Sequence, residues 1–183
     1  AYEKLDGSYI QIKYNDKLND INISTIATDK EMYISGKDSP TYPEMARRLC
    51  SEELIKFMEL HKDKKFLFEL LSPYNRQWNI PVNDDYVSLS LWGIIYPDGY
   101  IRKDPNIISE LIKMNIHIPS RWELTAPSST DDLTNQLDKI IDEMKTDPDK
   151  YGTKPEGVVI YLQGQDNIEL PLIKYKDRSY KGQ

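Results

Sequence analysis

The segment Glu3-Lys4-Leu5-Asp6-Gly7-Ser8 sets a lysine and an aspartate on either side of one leucine and follows them with a glycine. A lysine amine is a nucleophile only after it loses its proton, which near neutral pH requires neighbouring cations or a metal ion that destabilise the ammonium form. The glycine lets backbone pass close to a ligand. The same residue types also build ordinary solvated turns, so this segment alone leaves both readings open. Glu69 lies inside Phe66-Leu67-Phe68-Glu69-Leu70-Leu71, where a carboxylate is costly to bury without a partner. A ribose hydroxyl, a lysine or a metal ion would serve, unless the residue faces water from a strand with one wet side. Glu156-Gly157-Val158-Val159-Ile160 and Leu172-Ile173-Lys174-Tyr175-Lys176 form a third pattern. Lys174 and Lys176 share one face of a strand, and two such cations repel unless a polyanion such as a triphosphate lies near them. An exposed, lysine-rich edge strand is the plainer reading of that last segment.

These side chains need elements to hold them. Alternation predicts strands over residues 8–14 and 21–26, with a third over 32–34. One helix is expected next, with Pro43 near its start and Met45, Leu49, Leu54, Phe57, Met58 and His61 at helical spacing. Strands over 65–71 and 86–96 follow, the second closed by a turn at Tyr96-Pro97-Asp98-Gly99-Tyr100. Asp104-Pro105 reads as cap and first turn of a helix carrying Ile107, Ile108, Leu111 and Ile112. Ser129 or Thr130 caps another, with Leu133, Leu137, Ile140, Ile141 and Met144 on one face. Strands over 157–162 and 168–175 complete an α+β domain of antiparallel sheets with flanking helices.

Composition narrows the chemistry. Of 183 residues, 39% are hydrophobic and 30% charged, which is ordinary for a folded protein. No apolar run is long enough to span a bilayer and the start carries no secretory pattern, so a membrane is not an expected partner. One cysteine, Cys50, excludes an internal disulfide and a cysteine-cluster metal site, which suggests a reducing, cytoplasmic location. Two histidines, His61 and His117, give almost no material for a histidine metal site or a Ser-His-Asp triad. Catalysis must therefore rest on Lys, Asp and Glu. A net charge of −6 argues against a surface that grips phosphate backbones throughout, so a nucleic-acid partner needs a local basic patch.

The order of these segments resembles the covalent nucleotidyltransferase superfamily of ATP-dependent DNA ligases, RNA ligases and GTP-using capping enzymes. Lys4-Leu5-Asp6-Gly7 is similar to its Lys-x-Asp-Gly motif, Glu69 to the acidic residue of motif III, Glu156-Gly157 to motif IV, and Lys174-x-Lys176 to the lysine pair of motif V. Phe68-Glu69-Leu70-Leu71-Ser72-Pro73-Tyr74-Asn75-Arg76 resembles more narrowly the phage-type RNA ligase 1 family, as do the strand and hairpin over 89–100 and the placement of Tyr180. DNA ligases usually carry a lysine five residues after the motif IV glutamate, where this chain has Tyr161. Ser24-Thr25-Ile26-Ala27-Thr28 lacks the cation that the family commonly places there, so a phosphate or ribose contact would come from elsewhere.

The resemblance implies an ATP-grasp-like nucleotidyltransferase domain over residues 1–183, a fragment lacking N-terminal and C-terminal parts. It implies an ATP-dependent RNA ligase in which Lys4 takes up AMP, passes it to a 5'-phosphate end and lets a 3'-hydroxyl seal the strand. Lys174 and Lys176 would neutralise the α-phosphate. Glu156 and Glu69 would hold Mg²⁺ (or Mn²⁺), with Glu69 also able to meet the sugar. Glu3, Leu5, Asp6 and Tyr180 would complete the nucleotide site, and Trp92 or Leu91 would stack on the base. Expected partners are ATP and RNA ends, and a monomer is expected. A phage- or virus-encoded protein acting in a host cell is compatible with this. The alternatives are a DNA ligase, a capping guanylyltransferase, or a relative that binds nucleotides without transfer.

Overall fold

The computed structural model describes residues 1–25, 40–72, 87–152 and 154–177. The expected strands over 32–34, the stretch 73–76, the start of the strand over 86–96, residues 26–28 and Tyr180 lie wholly or partly outside these.

Two antiparallel sheets organise the chain. The larger contains β2 (Ser8–Asn15), β3 (Asp20–Ser24), β4 (Lys65–Leu71), β5 (Ser88–Ile95) and β6 (Ile101–Arg102), in the order β3-β2-β4-β5-β6. The smaller contains β1 (Tyr2–Lys4), β7 (Gly157–Gln163) and β8 (Glu169–Lys176), in the order β1-β7-β8. The expected mixed α+β architecture with antiparallel sheets is what forms.

Period-two alternation explains the main core. Ile10 and Ile12 of β2 lie opposite Phe68 and Phe66 of β4, and all four are fully buried. Leu70, Leu89, Leu91 and Ile94 extend the same layer. Helices cover it: α1 (Tyr42–Arg48), α2 (Glu52–Leu60) and α3 (Pro105–Lys113) contribute Met45, Leu54, Phe57, Met58, Ile107 and Leu111. A second cluster joins Leu137, Ile140 and Met144 of α4 (Thr130–Lys145) to Val158 and Ile160 of β7.

One expectation is corrected. The single helix read around Met45 to His61 is two helices. Leu49 caps α1, and the Ser51 hydroxyl accepts the Leu54 N–H to start α2 afresh. A serine inside an apolar-periodic stretch leaves the periodicity unbroken, although capping a helix start is its commonest helical use. Elsewhere local chemistry follows the sequence. The Asp104 side chain caps α3, Ser129 rather than Thr130 caps α4, and Tyr96 N–H donates to the Tyr100 carbonyl across the hairpin turn. Among the described residues no helix is long and apolar enough to cross a membrane.

Candidate active site

Strand register assembles the lysines. Lys4 of β1 lies opposite Gly157 of β7, which lies opposite Lys176 of β8. Two residues along, Tyr2, Val159 and Lys174 form the next row with the same orientation. Alternation puts both rows on the same face of the small sheet. Gly157 is required in its place, because φ is +145° and an added Cβ would come within 2.1 Å of the Tyr175 carbonyl oxygen.

The carboxylate just before this glycine sits between the two amines. Glu156 is 4% exposed, its Oε2 lies 2.5 Å from Lys4 Nζ, and its Oε1 lies 2.9 Å from Lys176 Nζ. The burial of a carboxylate is offset here by two charge-assisted partners.

Glu69 reaches the site from the larger sheet, opposite Tyr9 on one side and Ser90 on the other. The Gly7 N–H donates to its Oε1 at 3.1 Å. Gly7 packs so closely on β4 that a Cβ would meet the Leu70 carbonyl oxygen at 2.5 Å, so it fixes the approach of the Lys4 segment to Glu69. Burial pushes the Glu69 carboxyl up to about 7; Lys4 and the Gly7 N–H oppose the shift, while Glu156 and Asp6 add to it. The folded protein thus keeps this proton up to about pH 7, whereas the unfolded chain releases it near 4.5. Because the native state binds more protons between these values, stability falls as pH rises from about 4.5 to about 7 and is flat in this respect above. Glu69→Gln is expected to remove that component, so its urea midpoint should gain on the wild type between pH 5 and pH 8. Parallel pH profiles for the two proteins would contradict it.

A cavity of about 550 Å³ opens between the sheets, bordered by Lys4, Glu69, Trp92, Lys103, Val159 and Lys174 among others. Glu3, Leu5 and Gly7 also face it. Glu3 pairs with residue 120 in both directions: its N–H donates to the Ser120 carbonyl at 2.9 Å, and its carboxylate accepts the Ser120 N–H at 3.3 Å. Burial raises the Glu3 carboxyl above its usual value, against that hydrogen bond. Trp92 borders the cavity with its ring 5.9 Å from that of Tyr9. Leu91, the other stacking candidate, is instead 1% exposed within the main core on the opposite face of β5. Asp6 does not border the cavity but its charge acts on Glu69. Tyr180 lies outside the described residues.

Among the described residues no group of three or more His, Cys, Asp or Glu side chains is placed to hold a metal ion. That excludes a preformed protein cage of this kind among them.

Sequence reasoning missed three residues that the structure brings to the cavity: Tyr2, Lys103 and Tyr161. Tyr2 shares a strand face with Lys4 two residues on, but no strand is legible in so short a segment. Lys103 gave no signal, because a lysine between a hairpin and a helix cap ordinarily points to water.

No protein-family model matches the chain, and no curated protein matches it either. Solved structures do. One described as "Archaeal ATP-dependent RNA ligase - form 1" superposes with a TM-score of 0.64 at 14% identity, over 96% of this chain and 41% of that one. Another, "Putative ATP-dependent DNA ligase from Aquifex aeolicus", gives a TM-score of 0.58 at 11% identity, over 93% of this chain and 42% of that one. The chain therefore shares its fold with ATP-dependent ligases and spans about two fifths of their length.

Proposed function

We propose that this chain is the nucleotidyltransferase domain of an ATP-dependent polynucleotide ligase acting on RNA, with Lys4 as the residue that becomes joined to AMP. One observation carries the reading: Lys4 and Lys176 both meet the Glu156 carboxylate, while Lys4 and Lys174 border the inter-sheet cavity. The shared fold with ATP-dependent ligases supports it. The cavity volume lies within the roughly 300–1,000 Å³ usual for small-molecule sites.

In this reading the triphosphate lies along Lys174 and Lys176, whose charges balance its own. Lys4 Nζ gives up a proton, for which Glu156 Oε2 is the nearest acceptor, and attacks the α-phosphorus. The new N–P bond forms as the bond to the β-phosphate oxygen breaks, and pyrophosphate leaves with that electron pair. An oxygen of a 5'-phosphate end then displaces Lys4 from AMP, and finally a 3'-hydroxyl attacks that 5'-phosphorus and expels AMP. Positioning and charge stabilisation supply most of the rate in such transfers. Mg²⁺ entering with ATP would be held by Glu156 and Glu69 and would neutralise the triphosphate. Glu3 and Leu5 frame the base, and Trp92 is the aromatic wall available to it.

Incubation with α-labelled ATP and magnesium is expected to leave AMP covalently on the protein, visible as labelled protein and as the matching mass increase. GTP in its place should leave none, which separates the capping alternative. No adduct with either nucleotide overturns the enzyme. A DNA-ligase reading is favoured by the second structural likeness, and joining of RNA ends against nicked DNA decides between them. Tyr161, where DNA ligases have lysine, supports RNA.

A further inference from the structure

Residues 117–122 run along an edge of each sheet in turn. On the larger sheet, His117 pairs in parallel with Ser90 of β5. The Leu91 N–H donates to the His117 carbonyl at 2.9 Å, and the His117 N–H donates to the Leu89 carbonyl at 3.2 Å. On the smaller sheet, the next residues take the edge of β1 that β7 leaves open. The Glu3 N–H donates to the Ser120 carbonyl at 2.9 Å, Tyr2 pairs with Arg121, and the Trp122 N–H donates to the Ala1 carbonyl at 2.8 Å. His117 and Ser120 are three residue steps apart, a span of at most roughly 11 Å. Pro119 stiffens that span, because its ring fixes φ and drives Ile118 toward extended backbone. The strand bearing Lys4 is thereby tied at short range to the sheet bearing Glu69, and Pro119 borders the cavity between them.

One side-chain contact fastens the larger-sheet end. The Ser90 side chain is fully buried, where a hydroxyl needs a partner. Its Oγ stands 2.7 Å from His117 Nδ1 and 3.4 Å from the His117 carbonyl oxygen. Ser90 also lies directly opposite Glu69 across the β4–β5 pairing, so the two side chains share one face of the sheet. His117 itself is exposed and does not border the nucleotide cavity, so it has no direct part in the chemistry. What it grips is the neighbour of a residue that does border it.

We propose that residues 117–122 are a strap that sets the distance between Lys4 and a nucleotide held against Glu69 and Trp92, and that His117, acting through Ser90, is a positioning residue for AMP transfer. The reaction in this proposal rests on the ligase reading above; the strap does not. Glu69 and Trp92 belong to the larger sheet, whereas Lys4 belongs to the smaller one. A loosened strap therefore still lets nucleotide bind but misplaces the amine that attacks it.

The test uses the full chain with His117→Leu, His117→Asn, Ser90→Ala, and the pair His117→Leu with Ser90→Ala. AMP labelling rates are measured across a range of ATP concentrations with magnesium. His117→Leu and Ser90→Ala are each expected to lower the saturating rate by about tenfold, since a misplacement of about 1 Å can cost about 10²-fold. The ATP concentration giving half that rate should stay within about twofold of wild type. His117→Asn should keep most of the rate, its side-chain amide meeting the Ser90 hydroxyl in place of Nδ1. The pair should be no slower than either single change, because both remove one shared contact. Equal losses in His117→Asn and His117→Leu, or a raised half-saturating ATP concentration at an unchanged saturating rate, overturn the positioning role. Hydrogen exchange reads the strap without any reaction: in His117→Leu the Glu3 amide should exchange faster while those of Phe66 and Phe68 stay at the wild-type rate. An unchanged Glu3 amide overturns the strap. Faster exchange there, in a protein whose wild type forms no AMP adduct, supports the strap and refutes the enzyme, so the two proposals fail separately.

Discussion

Lys4→Ala is expected to abolish AMP transfer to the protein, a loss of about 10⁴-fold or more, since removal of a covalent nucleophile leaves nothing that can substitute for it. Alanine also takes one of two ammonium partners from the buried Glu156 carboxylate, so the protein should be less stable as well. Lys4→Arg separates these effects. A guanidinium keeps the positive charge beside Glu156 but does not give up a proton in proteins, so stability should be largely retained while labelling stays absent. Labelled adduct at the wild-type level in Lys4→Ala would remove this residue from the chemistry altogether.

The second large effect is expected at Glu156. Glu156→Gln keeps the shape of a side chain that is 4% exposed and removes its charge, so both ammonium groups lose their ionic partner at once. Lys4 then has neither its anchor nor its nearest proton acceptor. Initial rates of AMP labelling should fall by about 10²–10³-fold, the scale seen when one preorganised electrostatic group is lost. Asp142→Asn, at an exposed carboxylate whose ion pair is with Lys145 at 3.9 Å, is the control and should leave the rate unchanged. A wild-type rate in Glu156→Gln would show that its carboxylate merely holds the sheet together.

Most elements were readable because they announce themselves locally, but β1, which carries Lys4, was not: three residues are too few to show alternation, and Glu3 to Ser8 has the composition of a turn. Phe66, Phe68 and Leu70 alternate, Asp104-Pro105 opens a helix, and Gly99 permits the hairpin turn with φ of +85°. The break between α1 and α2 was missed because the apolar spacing continues across it, whereas the Ser51 cap is a single hydrogen bond. The candidate site was only half legible. Lys4, Glu69, Glu156, Lys174 and Lys176 could each be named from residue type and order. That Glu156 rather than Glu69 would touch Lys4 depends on which residue of β1 faces which of β7, and no local pattern encodes a register between distant strands. Lys103 was invisible for a related reason. Its burial over the Tyr2 ring comes from β8 and the hairpin meeting, through Glu169, and not from anything in its own neighbourhood.

The same small sheet has a consequence for how the protein is born. β1 precedes the rest of the described chain, yet its hydrogen-bonding neighbour is β7, and β7 in turn is flanked by β8. Nearly the whole described polypeptide must therefore be synthesised before the strand carrying Lys4 finds its place, a loop closure of high sequence separation and correspondingly slow. Until then the larger sheet can form alone while the Lys4 segment waits. A chain interrupted ahead of Gly157 would hold much of its main core but could not bring its amine to Glu156. Readiness to react is in this sense a check on synthesis: the strand bearing Lys4 becomes competent only when its distant neighbours have been made.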